Sequence, residues 1–168
     1  HLVGAKSAVA AGGAAESNAE QLRQWRRKAP VARAAEFRRK YEDAGILIDV
    51  LKVDGFFKLA DETLDYAFAL AQAVGARAIS TEISKSDDDH KRVGRFADKH
   101  RLMVALHGHA STGPAHWEKA FSFAKFNGAN VDLGHFVAGN DVSVVDFVRQ
   151  HHARITHVHV KDRKRQNG

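Results

Sequence analysis

The sequence predicts an α/β fold in which helices cover a parallel sheet, as in a (β/α)8 barrel. Three observations support this prediction: amphipathic helical segments alternate with short apolar runs, the connections between them are short, and polar residues gather where successive runs end. A complete barrel of this kind needs about 250 residues, whereas the chain has 168. We therefore expect a single domain over residues 1–168 that forms an incomplete barrel.

A long helix is predicted near the start of the chain. Ser17 and Glu20 form a capping-box pattern, and helical periodicity continues to about Asp43 with a break or kink near Pro30. The branched apolar run at 46–53 then predicts the first strand.

The middle of the chain repeats this alternation. Apolar residues at helical spacing predict a helix over 61–74 that ends at Gly75. The second strand is predicted at 76–83. The next helix is predicted at 84–101 and begins with a polar cluster, and a short buried strand is predicted at 102–106.

The last third of the chain completes two more units of the same kind. Its predicted elements are, in order, a helix at about 115–126, a turn at Asn127-Gly128, a strand at 130–133, a helix at 142–152 and a strand at 154–160. Five strands are therefore predicted, and helix-strand alternation is typical of a parallel sheet.

Composition limits the kind of site and partner. The net charge of +6 favours an anionic partner such as a phosphate, a phosphosugar or a nucleic acid. The chain has no cysteine, so histidine and carboxylate are the only strong metal ligands. Because no apolar run reaches about 18 residues, we expect no membrane partner. We expect a cytoplasmic protein, with an exported form whose signal has been removed as the alternative.

Polar side chains stand at the ends of four successive predicted strands, which is where (β/α)8 barrels carry their reacting groups. These residues are Glu82, His107, His109, Asp132, His135, His157 and His159. Each one alone has a structural explanation, but seven of them at strand ends indicate a common site. Imidazole together with carboxylate suits Mn, Co, Zn or Fe better than calcium, and Mg stays open.

Alternation within the strands supports one shared site. His107 and His109 are separated by one residue, as are His157 and His159, so each pair points to one face of an extended chain. Asp132 lies inside an apolar strand, where an unpartnered carboxylate is costly to bury.

Three segments resemble the sugar phosphate isomerase/epimerase family of xylose isomerase-like TIM barrels. They are Val-Ala-Leu-His-Gly-His at 104–109, Asn-Val-Asp-Leu-Gly-His-Phe at 130–136 and Ile-Thr-His-Val-His-Val-Lys-Asp-Arg-Lys at 155–164. The resemblance runs from about Arg33 to the end of the chain. It implies metal-dependent isomerisation or epimerisation of a keto-sugar, a sugar phosphate or a related polyol through an enediolate.

The resemblance also implies roles for individual residues. It makes Glu82, Asp132 and His159 ligands of one divalent metal ion, with Glu82 also the catalytic residue that carries a proton. It also implies that five residues bind the substrate: His107, His109, His135, Lys161 and Arg165. The family's second catalytic glutamate would lie on a further strand after residue 168, so we expect this chain to be a fragment of a longer protein.

Two other functions stay open at this point. A zinc enzyme like the apurinic-site endonucleases would use the positive charge and the abundant histidine, and a non-catalytic sugar-binding barrel would need no second glutamate. We expect a small-molecule carbohydrate as the partner and no nucleic acid, and a homo-oligomer stays open.

Overall fold

The structure is a computed structural model that describes residues 31–165 together with Asn18, Glu20, Gln21, Gln24 and Trp25. Its strands are β1 (Val50–Lys52), β2 (Ala78–Glu82), β3 (Met103–His107), β4 (Asn127–Asp132) and β5 (Ile155–His159). Its helices are α1 (Ala32–Asp43), α2 (Asp61–Ala73), α3 (Asp87–His100), α4 (Pro114–Phe123), α5 (Leu133–Gly139) and α6 (Val144–His151), with short 3-10 turns at Phe56–Lys58 and His152–Arg154.

The five strands form one parallel sheet in the order β1-β2-β3-β4-β5. Each strand pairs with the next along the chain, and helices connect them, so all the carboxyl ends of the strands meet at one edge. This is half of a (β/α)8 barrel and confirms the predicted fold class.

The predicted cap at Ser17 and the kink near Pro30 lie outside the described residues. No helix in the described part of the chain is long and apolar enough to cross a membrane.

The two faces of the sheet differ in chemistry. Ile79, Val104 and Val131 are fully buried beneath the helices with Phe68 and other core residues. Fully burying a side chain of this size contributes about 1.5–3 kcal/mol, so this layer stabilises the fold. The opposite face carries polar residues, and it is this face that lines the interior of the half-barrel.

One turn predicted from the sequence was wrong. Asn127 and Gly128 begin β4 instead of forming a turn. The buried Asn127 amide donates to the backbone oxygens of Ala120 at 2.8 Å and His90 at 3.2 Å. A Cβ at Gly128 would lie 2.6 Å from the backbone oxygen of Arg154, so the close approach of the next segment requires glycine. Tertiary contacts therefore override the local turn preference of these two residues.

Helix α5 was not predicted. It begins directly after β4 because the Asp132 carboxylate accepts a hydrogen bond from the backbone N–H of His135 at 2.9 Å and caps the helix. The first strand is also shorter than predicted, covering Val50–Lys52 and not 46–53.

An irregularity in β5 sets which way its histidines point. Ala129 is paired with Ile155, but the next residue, Asn130, is paired with His157, so one extra residue lies in β5. A single extra residue changes the face that all later side chains occupy. As a result His157 and His159 lie on the same face as Asn130 and Asp132.

Candidate metal centre

The strand ends bring the predicted residues into two overlapping groups. The ligand atoms of Glu82, His107 and His109 lie within 4.8 Å of one another, and so do those of His107, Asp132 and His159. His107 belongs to both groups, whereas Glu82 does not share a group with Asp132 and His159. The three residues predicted as ligands therefore do not form a single set, and His107, predicted to bind substrate, links them.

Asp132 lies at the centre of the second group and is 1% exposed. One carboxylate oxygen accepts the backbone N–H of His135, and the other, Oδ2, lies 2.7 Å from Lys161 Nζ as an ion pair without directed hydrogen-bond geometry. Burial raises the pKa of Asp132, but Lys161 and the N–H of His135 outweigh it and lower that pKa to about 2. The carboxylate is therefore ionised at neutral pH.

His107 presents its two ring nitrogens to the two groups. Nδ1 lies 3.1 Å from Glu82 Oε2 and donates its hydrogen to that carboxylate. In the neutral ring this leaves a lone pair on Nε2, which is buried, has no hydrogen-bond partner among the described residues and lies 3.7 Å from Asp132 Oδ2. Two electron-rich atoms face each other here, and a cation between them would satisfy both. The residues therefore fit a metal ion on this observation.

His159 supplies a third potential ligand atom, a second nitrogen, at the same point. Its Nδ1 lies 3.5 Å from Asp132 Oδ2, and its Nε2 lies 3.4 Å from the side-chain nitrogen of Asn130. Two imidazoles and a carboxylate with open positions are a common set for a catalytic divalent ion.

Glu82 is surrounded by donors at the other side of His107. Its carboxylate accepts hydrogen bonds from Lys52 Nζ at 2.8 Å, His109 Nε2 at 2.7 Å and His107 Nδ1. Partial burial raises the pKa of Glu82, but these three hydrogen bonds together outweigh it and lower that pKa to about 2. A carboxylate that receives the N–H of a metal-binding histidine fixes the orientation of that ring.

The remaining predicted substrate residues divide between the site and the surface. His135 Nε2 lies 3.8 Å from Asp132 Oδ2, and its Nδ1 accepts a hydrogen bond from Arg163 at 2.8 Å. Burial lowers the pKa of His135 and outweighs the opposing effect of Asp132. Arg165 is exposed, and its side chain makes no hydrogen bond or ion pair with the cluster within residues 31–165.

Three residues at the site were missed in the sequence. Lys52 is the last residue of β1, and the rule of polar strand ends would have found it. Arg163 stands in the last resembling segment but was given no role. Asn130 is buried inside β4 and begins the second resembling segment, but the resemblance gave it no role.

A cavity of about 500 Å³ opens beside these residues, within the size range of small-molecule sites. It is lined by Val50, Lys52, Ser80, Glu82, His107, Asn130, His157 and His159. His157 thus lies on the same interior face as His159, as predicted, although its Nδ1 contacts Thr156 Oγ1 at 2.7 Å and it joins neither metal group.

Several solved structures are similar to this one. A xylose isomerase domain protein from Planctomyces limnophilus has a TM-score of 0.61 at 17% identity, covering 83% of this chain and 60% of that one. The 3-keto-D-glucoside 4-epimerase from E. coli, in its apo form, has a TM-score of 0.56 at 14% identity, covering 79% and 65%. An uncharacterized protein from Parabacteroides distasonis has a TM-score of 0.58 at 22% identity, covering 79% and 53%.

At these identities the likeness shows the fold. The chain has the fold of xylose isomerase-like sugar isomerases and epimerases, as the resemblance of its motifs predicted. It spans 53% to 65% of the length of these three proteins. The sequence matches no protein-family model and no curated protein.

Proposed function

We propose that the chain forms the metal-binding part of an isomerase or epimerase that acts on a keto-sugar, a sugar phosphate or a related polyol. The observation that carries this proposal is the buried His107 Nε2, which has no hydrogen-bond partner among the described residues and faces Asp132 Oδ2 at 3.7 Å, an oxygen otherwise paired with the Lys161 ammonium group. The fold shared with a 3-keto-D-glucoside 4-epimerase and the cavity beside these atoms, whose lining includes Lys52, Glu82 and Asn130, support a carbohydrate substrate.

The geometry favours His107, Asp132 and His159 as the residues that would hold the cation. When bound there, a divalent ion would act as a Lewis acid that polarises a sugar carbonyl and acidifies the neighbouring C–H bond. Glu82 then changes from a predicted ligand to a residue beside the ligands, because its carboxylate accepts the N–H of His107. Mn, Co, Zn and Fe suit this set of donors.

Glu82 is the best-placed residue for moving a proton. Its carboxylate is ionised, and it lines the cavity in which a sugar would lie. A pKa of about 2 makes it a weak base, because efficient general bases have a pKa near the working pH. Rearrangement of the Lys52 or His109 hydrogen bond on substrate binding would strengthen Glu82 as a base. His109 is exposed and close enough to Glu82 to contact the same substrate hydroxyls.

Proton exchange in D2O tests this proposal. The protein, supplied with Mn²⁺, Co²⁺ or Zn²⁺, is incubated with ketohexoses, their phosphates and keto-glucosides, and deuterium at the carbon next to the carbonyl is followed by NMR. We expect exchange with at least one sugar, loss of exchange in Glu82→Gln, and unchanged exchange in Glu118→Gln, a carboxylate on α4 that pairs with His151.

Two outcomes would overturn the proposal. Absence of exchange with every metal and sugar would remove the isomerase and epimerase function from this chain. Cleavage of DNA at an apurinic site by the zinc-loaded protein would instead favour the endonuclease alternative.

A further inference from the structure

Asn130 contacts the outer nitrogen of His159, on the side away from Asp132. Its side chain is 2% exposed, and its amide nitrogen lies 3.4 Å from His159 Nε2 and 3.3 Å from Ser80 Oγ. Its amide oxygen has no hydrogen-bond partner among the described residues. Asn130 therefore occupies the position from which an outer residue controls the ring of a metal-binding histidine.

The orientation of this amide is coupled to the tautomer of His159. With the amide nitrogen towards Nε2, that ring nitrogen must accept, so the ring hydrogen lies on Nδ1, which faces Asp132 Oδ2 at 3.5 Å. In that state Nδ1 carries the ring hydrogen and has no lone pair for a cation. This orientation of the amide therefore corresponds to the His159 tautomer that cannot bind a cation through Nδ1.

A half-turn of the amide gives the opposite tautomer. The amide oxygen then accepts the N–H of His159 Nε2, and the Ser80 hydroxyl, which can donate or accept, donates to the same oxygen. His159 Nδ1 is left with a lone pair directed at Asp132. Either orientation leaves one amide atom unpaired within the described residues, so hydrogen bonding by Asn130 itself does not decide between them.

We infer that Asn130 is a positioning residue for the metal site, whose amide turns over to hold the Nε2–H tautomer of His159 when Nδ1 binds a divalent cation. The inference rests on the proposed metal site and adds a residue to it. A histidine ligand needs an acceptor for its second N–H. The Asn130 amide nitrogen lies 3.4 Å from His159 Nε2, so the turned amide would place its oxygen there as the acceptor. The Ser80 hydroxyl can bond to the Asn130 amide in both orientations, so it allows the amide to turn over.

Two substitutions separate this role from a packing role. Asn130→Asp has the same shape and places an acceptor oxygen opposite Nε2, whereas Asn130→Leu has neither donor nor acceptor. Asn127→Leu is the matched control, because Asn127 is an equally buried asparagine of the same strand that bonds only to backbone oxygens on the helix side.

The test measures Zn²⁺ and Co²⁺ binding to the full chain by calorimetry, and the His159 tautomer by ¹⁵N NMR with and without Zn²⁺. We expect Asn130→Leu to bind roughly 10–100-fold more weakly than the original protein, which is the usual effect of removing an outer partner. Asn130→Asp should bind at least as tightly as the original protein, and Asn127→Leu should lose stability but keep its affinity. Zinc should move the His159 hydrogen from Nδ1 to Nε2.

The inference fails if Asn130→Leu binds as tightly as the original protein, or if the leucine and aspartate variants are weakened alike. It also fails if the His159 tautomer is the same with and without zinc, a result that needs no variant to fold. If the original protein binds neither metal, the proposed metal site itself falls, which distinguishes the two failures.

Discussion

Replacement of Asp132 by asparagine removes one charge from the centre of the candidate site and changes little else. The amide oxygen can still accept the N–H of His135, so the cap of α5 should survive. What is lost is the negative charge on Oδ2, which faces Lys161 at 2.7 Å and the ring nitrogens of His107 and His159.

The magnitude follows from the pKa of Asp132. The folded protein lowers it from 3.8 to about 2, and a change of this size corresponds to about 2 kcal/mol of folding free energy. Because the folded pKa is lowered, this stabilisation is present above pH 3.8 and is lost as the pH falls towards 2. The metal-free variant should therefore be about 2 kcal/mol less stable at pH 7, and the difference should shrink below pH 4.

Urea denaturation in the presence of a chelator, from pH 7 to pH 3, measures the stability difference between the two metal-free proteins. Repetition with saturating Zn²⁺ measures how much bound zinc stabilises each protein, because a ligand at 100 times its Kd adds about 2.7 kcal/mol to the stability of the folded state. We expect zinc to stabilise the original protein and not Asp132→Asn. Asp98→Asn is the control, since Asp98 accepts the backbone N–H groups of Lys125 and Phe126 and should keep the zinc effect.

Either of two results would refute this reasoning. Equal stability of the two metal-free proteins at pH 7 would mean that Lys161 does not stabilise the carboxylate. Zinc stabilisation that survives in Asp132→Asn would remove Asp132 from the ligand set.

Three further substitutions test other parts of the site. Gly108→Ala would place a Cβ against the ring of the buried Trp117, so overpacking should destabilise the protein by about 1–3 kcal/mol in urea denaturation and weaken zinc binding; unchanged stability would contradict this packing. Lys161→Met removes the ammonium group from Asp132 and should tighten zinc binding in calorimetry while it lowers the stability of the metal-free protein; weaker zinc binding would make the lysine a support of the site and not a competitor. Lys52→Met removes a hydrogen bond that lowers the pKa of Glu82, so the ¹³C titration of that carboxyl should move upward from about 2, and an unmoved midpoint would exclude the contact in solution.

The parts of the fold that were predictable from the sequence depend on local patterns. Helical spacing located α2 and α3 within a few residues, and branched apolar runs located β2 and β3. Alternation placed His157 and His159 on one face of their strand, and both line the same cavity. Each of these patterns extends over several neighbouring residues, so several residues together indicate the same helix or strand.

The parts that failed depend on contacts between distant segments. The Asn127-Gly128 pair has strong turn preference, but its amide is bonded to carbonyls from α3 and α4. Glu82 and Asp132 lie on strands that have β3 between them, and the face that His157 and His159 occupy relative to β4 is set by an extra residue in β5. Neither arrangement is encoded in a local pattern, which is why the sequence alone did not indicate that His107 lies between Glu82 and Asp132.

Metal content by native mass spectrometry and elemental analysis, on protein purified without chelator and then supplied with Mn²⁺, Co²⁺, Zn²⁺ or Fe²⁺, tests the proposed centre most directly. The comparison includes the original protein, Asp132→Asn and Glu82→Gln. A centre made by His107, Asp132 and His159, with Glu82 beside it, predicts one ion per chain in the original protein, none in Asp132→Asn and one in Glu82→Gln. No ion in the original protein, or an ion kept by Asp132→Asn and lost from Glu82→Gln, would contradict it.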